Sequence, residues 1–309
     1  MAIETWHQEK SLSRTLREAA PPLLFLTPAA IVLLVFMAVP VINAVLLSLQ
    51  SWNGMTPAVW VGLSNYASLF RDRIFLFAFG NTAYFTIVTV IFQTIVPLLI
   101  AILLNAGIRG STVFRTLYFM PVIISLTISG LLWAMIYEPN FGMLNSLLQG
   151  VGLGGLTQLW LADPHLVMPC IIVVSIWQSL GFYLVIYFAA LQNIPRELYE
   201  AAAIDGANAW HKLIHVTVPM LRPVMVLVVV LNTVNGVKAF DQIWVMTAGG
   251  PNHASDTLGT YLYSIAFGAM GSSNPQLGYA TAIAIVILIL SFVLSVIQIR
   301  LGRRNEVEY

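Results

Sequence analysis

The sequence predicts an all-α integral membrane protein with six transmembrane helices. Of the 309 residues, 59% are hydrophobic and only 9% are charged, whereas a soluble domain carries about 25% charged residues. The apolar residues form six runs of the length that crosses a bilayer, about 20 residues each. Lys and Arg collect in the loops on one side of these runs, which is typical of cytoplasmic loops.

The first apolar run is too long for the core of a signal peptide, which covers about 7–15 residues, and we interpret it as a retained helix. The runs do not alternate in polarity as barrel strands do. Several contain proline, which membrane helices tolerate when neighbouring groups re-satisfy the freed carbonyls. The predicted spans are 23–49, 75–104, 113–137, 166–191, 223–246 and 278–301.

The distribution of basic residues predicts the orientation. The loops 138–165 and 248–277 contain no Lys or Arg, as expected of translocated loops. An even number of spans then places both termini in the cytoplasm, with tails 1–22 and 302–309 on either side of a single transmembrane domain, 23–301. Eleven of the 14 basic residues are cytoplasmic in this topology: Lys10, Arg14, Arg17, Arg109, Arg115, Arg196, Lys212, Arg222, Arg300, Arg303 and Arg304.

The loop between spans four and five, 193–219, predicts a short helix–turn–helix on the cytoplasmic side. Pro195 suits the first turn of a helix that runs to Asp205. Gly206 allows the chain to turn, residues 207–215 can form a second helix, and Pro219 is expected to end the unit before span five. We call this unit the elbow.

The elbow has features of a docking surface. Small side chains at Ala201 and Ala202 would let another surface approach closely, and Glu200 and Asp205 add charge. An ordinary connection that packs on its own bundle has the same composition. The residues alone therefore leave both interpretations open.

Span five is unusually polar. Ionisable groups inside a membrane cost several kcal/mol unless they are paired or wetted. In a continuous helix most of these side chains would share one face, and Asp241 could neutralise Lys238 three residues earlier. The stripe predicts either a solute pathway, with Gln178 and Tyr183 of span four contributing, or a seam of interhelical hydrogen bonds. The polar residues of span five are Asn232, Asn235, Lys238, Asp241 and Gln242.

Other sites are not supported. The sequence has no G-x-x-x-x-G-K-[ST] motif, so ATP hydrolysis is not expected in this chain. His211 and His215 are spaced like a zinc pair but lack the Glu of H-E-x-x-H. The single cysteine, Cys170, lies in an apolar run and is interpreted as a small buried residue. No catalytic residue and no metal ligand is predicted.

Residues Glu200-Ala201-Ala202, then Gly206, then Val216-Thr217-Val218-Pro219 resemble the EAA loop of importer permeases in the ABC transporter superfamily. The resemblance implies the six-helix bundle of type I importers. It also implies that the elbow docks on a separate cytoplasmic ATPase through Glu200, Ala201, Ala202, Asp205, Gly206 and Pro219. ATP and Mg²⁺ would be bound by that ATPase, and this chain would need no cofactor.

Two further segments, Phe240-Asp241-Gln242-Ile243-Trp244 and Thr247-Ala248-Gly249-Gly250-Pro251, look like the carbohydrate branch of these permeases. This resemblance implies uptake of a sugar or related polyhydroxylated solute across a bacterial inner or plasma membrane. The implied partners are a second, distinct permease chain, two copies of the ATPase and an extracytoplasmic solute-binding protein.

Three alternatives stay open at this point. An ion-coupled secondary transporter could use Lys238 and Asp241 as a cation-linked pair. A membrane-embedded enzyme would need a reactive group at the bundle centre, and the sequence offers none. An importer of amino acids or peptides is the third alternative. Within the carbohydrate branch, the sequence does not distinguish an oligosaccharide, a monosaccharide, a sugar acid or a glycerophosphate.

Overall fold

The computed structural model describes residues 24–107, 110–268 and 275–303. The predicted tail 1–22, the end of the chain beyond residue 303, and Arg109 lie outside the described residues. In chain order the elements are α1 Leu24–Ser48, β1 Gln50–Ser51, β2 Val59–Trp60, α2 Ser64–Leu69, α3 Arg73–Asn105, α4 Ser111–Ile123, α5 Leu126–Ile136, α6 Met143–Gly150, α7 Val167–Gln192, α8 Arg196–Ile204, α9 Ala209–Val237, α10 Asp241–Thr247, α11 Leu258–Phe267 and α12 Leu277–Arg303. The two short strands pair antiparallel in the connection between α1 and α2.

Helices α1, α3, α7, α9 and α12 are each long and apolar enough to cross a membrane. The pair α4–α5 meets the same criteria together, so the structure has six spans, the predicted count, when this bent pair is counted as one. The predicted range 113–137 contains a sharp bend, because α4 and α5 meet at an angle of 98°. The chain is extended at Ile124 and Ser125, and the Ser125 hydroxyl caps α5 by accepting from the Ile128 N–H.

Span five is also interrupted, so the prediction of one continuous helix over 223–246 is wrong. Helix α9 ends at Val237, and α10 begins at Asp241 after a three-residue break. Phe240 has φ −143° and ψ −66°, which is outside the helical region. The break falls in the middle of the predicted polar stripe.

Pro40 inside α1 and Pro219 inside α9 are accommodated in the same way. One π turn, Leu34–Ala38, lies two residues before Pro40, and another, Leu213–Thr217, lies two residues before Pro219. A proline ring clashes with the carbonyl four residues earlier in a regular helix, and we attribute its tolerance here to the wider turn. Pro219 therefore does not end the elbow, and α9 runs without a break from the elbow into the membrane.

Helix α7 packs along α3 and α4, while α9 packs against both α3 and α12. Two of these crossings depend on glycine. A Cβ at Gly181 of α7 would lie 2.2 Å from the Tyr118 carbonyl oxygen of α4, and one at Gly236 of α9 would lie 2.8 Å from the Thr86 hydroxyl of α3. Small residues allow membrane helices to approach this closely.

We expect Gly181→Ala to destabilise the protein by about 1–3 kcal/mol, the usual effect of overpacking, because Tyr118 presents backbone that cannot rotate away. Thermal unfolding in detergent measures the change. Gly80→Ala is the matched control, since Gly80 also lies in a spanning helix but has open space where a Cβ would be placed. Equal unfolding temperatures for the two variants would contradict the close crossing.

Candidate functional site

A cavity of about 340 Å³ lies at the centre of the bundle, between α3, α5, α7, α9 and α10. Both interruptions border it, because Leu126 begins α5 and residues 238–243 include the break in span five. All seven side chains predicted for a solute pathway line this cavity: Gln178, Tyr183, Asn232, Asn235, Lys238, Asp241 and Gln242. The structure thus brings together residues that the sequence placed on two different spans.

Three of these side chains are buried amides with unused hydrogen-bonding capacity. Asn232 is 1% exposed, and neither its Nδ2 nor its Oδ1 atom has a partner among the described residues. The Gln242 Nε2 donor and the Gln178 Oε1 acceptor are unpartnered in the same sense. An unsatisfied buried polar group costs about 1–3 kcal/mol. The residues that line the cavity therefore include four unpartnered amide atoms, two donors and two acceptors, which are themselves buried.

The other polar groups are more open. Asn235, Lys238 and Asp241 are exposed on this single chain, whereas Tyr183 is buried. The expected neutralisation of Lys238 by Asp241 is not seen, since no ion pair joins them in the described part of the chain. The break in span five removes the helical spacing on which that expectation rested.

Long-range hydrogen bonds satisfy carbonyls at both interruptions. Gln178 Nε2 donates to the Ile124 carbonyl at 2.9 Å, and the Thr257 hydroxyl donates to the Ala239 carbonyl at 2.8 Å. Non-helical backbone at membrane depth requires such partners. Gln178 therefore has a structural role through its nitrogen, while its buried oxygen has no partner among the described residues.

Sequence reasoning missed the contribution of α3. Thr89 and Gln93 line the cavity, and Gln93 Nε2 donates to the Ser175 carbonyl at 3.1 Å. The signal was present, because Thr82, Thr86, Thr89 and Gln93 follow the i, i+4, i+7, i+11 spacing of one helical face. Phe85 and Phe240 add apolar surface to the same cavity.

The loop between α10 and α11 packs against α3 through buried polar groups. Gly249 has φ +89°, and a Cβ there would collide with the Asp256 carboxylate. The Asp256 carboxylate is buried, accepts from the Thr260 hydroxyl at 2.8 Å and pairs with His253. Burial raises the pKa of Asp256 despite these bonds. The loop docks on α3, where the Asn81 side chain donates to the Asp256 carbonyl at 2.9 Å.

The elbow has the predicted helix–turn–helix form, with two corrections at its ends. Pro195 precedes α8 as its N-cap residue instead of lying in the first turn, and Pro219 lies inside the continuous helix α9. Gly206 supplies the turn with φ +77°. The N-cap of α9 is Asn208, whose side-chain oxygen accepts from the His211 N–H at 2.9 Å.

One side of the elbow is held by a hydrogen bond between its two helices, and the other side is exposed. The Tyr199 hydroxyl and the Thr217 hydroxyl are hydrogen-bonded at 3.0 Å, which ties α8 to the start of α9. Of the other predicted coupling residues, Glu200 and Ala201 on α8 and Asp205 and Gly206 on the turn are exposed, and Ala202 is half-buried. Ile204 is 87% exposed and Trp210 is 65% exposed. Large apolar side chains with this much exposed surface on the elbow indicate a surface that another protein covers.

Residues 83–307 match the model of the family described as the binding-protein-dependent transport system inner membrane component. This range contains the cavity residues and the whole elbow.

Individual proteins are similar over nearly the whole chain. The probable ABC transporter permease protein YurN of Bacillus subtilis (strain 168) is 38% identical over 93% of this chain and 97% of the relative. The lactose transport system permease protein LacF of Rhizobium radiobacter is 34% identical over 92% of this chain and 94% of the relative. A crystal structure of a bacterial ABC transporter involved in the import of the acidic polysaccharide alginate matches with a TM-score of 0.81 and 25% identity, over 96% of this chain and 99% of that chain.

Proposed function

The chain belongs to the binding-protein-dependent transport system inner membrane component family, and from this premise we propose that it carries a sugar or related polyhydroxylated solute through its polar cavity. It is a permease subunit of an ABC importer and not an enzyme. This membership excludes the ion-coupled secondary transporter, because the energy of an ABC importer comes from ATP hydrolysis. It also excludes the membrane-embedded enzyme.

The observation that carries the proposal is the set of unpartnered amides in the cavity wall. A sugar hydroxyl donates one hydrogen bond and accepts others. Asn232 and Gln242 supply the donors, and Asn232 and Gln178 supply the acceptors. Asn235, Lys238, Asp241 and Tyr183 would contact the solute at the open side, while Phe85 and Phe240 would face the apolar side of a sugar ring. Relatives named for lactose and alginate transport support this solute class.

Coupling to ATP is assigned to the elbow. The exposed end of α8, with Glu200 and Ala201, and the turn at Asp205 would enter a cleft on a separate ATPase, with Gly206 shaping the turn. Movement of the ATPase would pass through the Tyr199–Thr217 contact into α9, which continues past Pro219 to the cavity wall. A rigid connection of this kind shifts the population between outward-open and inward-open states.

The assembly proposed around this chain has two permease chains of different sequence, two ATPase subunits and an extracytoplasmic solute-binding protein. ATP and Mg²⁺ would bind the ATPase subunits. The multi-pass chain would lie in a bacterial inner or plasma membrane with both termini in the cytoplasm, where the basic loops place them. The unit that carries the solute would be the transmembrane domain, residues 23–301.

Uptake by the reconstituted complex tests the proposal. The chain is purified with its associated subunits and solute-binding protein, inserted into vesicles with Mg-ATP on the cytoplasmic side, and given a mixture of ¹³C-labelled mono- and disaccharides. We expect accumulation of a sugar that requires ATP and is unaffected by a protonophore. Accumulation that the protonophore abolishes, or none of any sugar with a complex that still hydrolyses ATP, would contradict it.

A further inference from the structure

The outer connection between α5 and α7 exposes an apolar ridge. Phe141, Met143, Leu147 and Val151 are between 57% and 76% exposed. Met143, Leu147 and Val151 are spaced four residues apart; the first two lie on α6, and Val151 directly follows it. The three side chains therefore form one stripe along the helix. Residues 139–162 contain no charged side chain and no histidine. A loop in water would turn this stripe inward.

The opposite side of the connection is fixed by buried polar bonds. Asn145 is 5% exposed, and its Nδ2 atom donates to the Pro139 carbonyl at 3.0 Å and the Gln158 carbonyl at 3.1 Å. Its Oδ1 atom accepts from Trp160 Nε1 at 2.8 Å. The Glu138 carboxylate accepts from the Phe141 N–H at 2.7 Å and closes the preceding turn. The ridge therefore points outward because the fold holds it there.

The ridge continues an exposed apolar surface of α5. Leu131, Leu132 and Met135 of α5 are exposed apolar residues of the third span, which ends at Ile136. Phe141 follows within five residues, so the ridge begins next to the end of this apolar helix. The polar residue Gln149 is exposed on the other face of α6 from Leu147. An apolar stripe opposite a polar face at this position is the pattern of a helix lying in a bilayer interface.

We propose that α6 lies in the outer interface of the phospholipid bilayer, with the ridge from Phe141 to Val151 inserted among the upper acyl chains. The connection then acts as a lipid anchor for α5. That helix packs on α10, where a Cβ at Gly130 would lie 3.3 Å from the Gln242 carbonyl oxygen. Lipid contact at the ridge would thus help to hold one wall of the cavity. The inference does not depend on which solute the cavity takes.

Spin-label accessibility tests the anchor in the assembled transporter. Leu147→Cys and Gln149→Cys are made in a Cys170→Ala background, labelled with a nitroxide and reconstituted in phosphatidylcholine and phosphatidylethanolamine vesicles. Collisions with oxygen, which concentrates in lipid, and with a water-soluble nickel chelate are measured by electron paramagnetic resonance. We expect oxygen to exceed nickel several-fold at position 147 and the order to reverse at position 149.

Two results would overturn the lipid anchor. Nickel accessibility at position 147 as high as at position 149 would place the ridge in water. Low accessibility to both reagents at position 147 would mean that a protein covers it, such as the second permease chain or the solute-binding protein. Uptake by each labelled complex confirms that the variant has assembled correctly.

Discussion

Replacing Asn232 with leucine is expected to reduce sugar uptake by roughly tenfold to a hundredfold without lowering the stability of the protein. Both amide atoms of Asn232 are buried and unpartnered. Two lost hydrogen bonds to a solute, at about 1 kcal/mol or more each, correspond to a change of this size. Leucine has a similar shape and removes an unsatisfied polar group, a substitution that can be neutral or stabilising.

Asn145→Leu is the matched control, because Asn145 is an equally buried amide whose nitrogen and oxygen both have partners. We expect it to lower the unfolding temperature by leaving the indole of Trp160 and the backbone of the loop unsatisfied. Initial uptake rate and thermal unfolding of the same preparations measure both effects. If Asn232→Leu transports normally, or if it unfolds as readily as Asn145→Leu, the amide serves the bundle and not the solute.

Ala201→Trp is expected to reduce ATP-driven uptake by at least about tenfold while leaving this chain folded. On α8, Ala201 lies roughly opposite Tyr199, which faces the bundle. A tryptophan there would keep the elbow from close contact with an ATPase, and a weakening of binding by about 1.4 kcal/mol already corresponds to tenfold. ATPase retained on the purified complex and the rate of sugar-stimulated hydrolysis are the measurements.

Ala201→Ser is the control for this position, since serine adds only one oxygen atom and should preserve both binding and hydrolysis. The unfolding temperature of the isolated chain should be the same for the two variants, because Ala201 is exposed. Full ATP-driven uptake by Ala201→Trp would mean that no close contact forms at this face of the elbow.

The sequence predicted the number of spans, the elbow and the members of the polar cluster, since each depends on local composition. The interruptions at 124–125 and 238–240 could not be predicted, because the groups that stabilise them are distant in sequence. Gln178 reaches Ile124, and Thr257 reaches Ala239, only after the helices have packed. Hydropathy does not distinguish a continuous apolar helix from a broken one whose carbonyls are satisfied elsewhere.

Other features were missed for equally physical reasons. Threonine is common in membrane helices, so the stripe from Thr82 to Thr89 on α3 did not stand out from ordinary hydrogen bonding to the preceding turn, which Thr82 and Thr89 do make. Pro219 was expected to end a helix, yet the π turn at Leu213–Thr217 precedes it in a helix that continues into the membrane. Local rules for proline assume a regular α-helix, and here the helix is widened.

The central claim is that a separate ATPase binds the elbow. Cysteine crosslinking at position 201 tests this claim most directly. The assembled transporter carrying Cys170→Ala and Ala201→Cys is treated in native membranes with a short maleimide crosslinker, and the products are identified by mass spectrometry. The account predicts a crosslink to a nucleotide-hydrolysing subunit and protection of position 201 from a bulky water-soluble maleimide. Free labelling of that cysteine in a complex that transports sugar, with no crosslinked subunit, would contradict it.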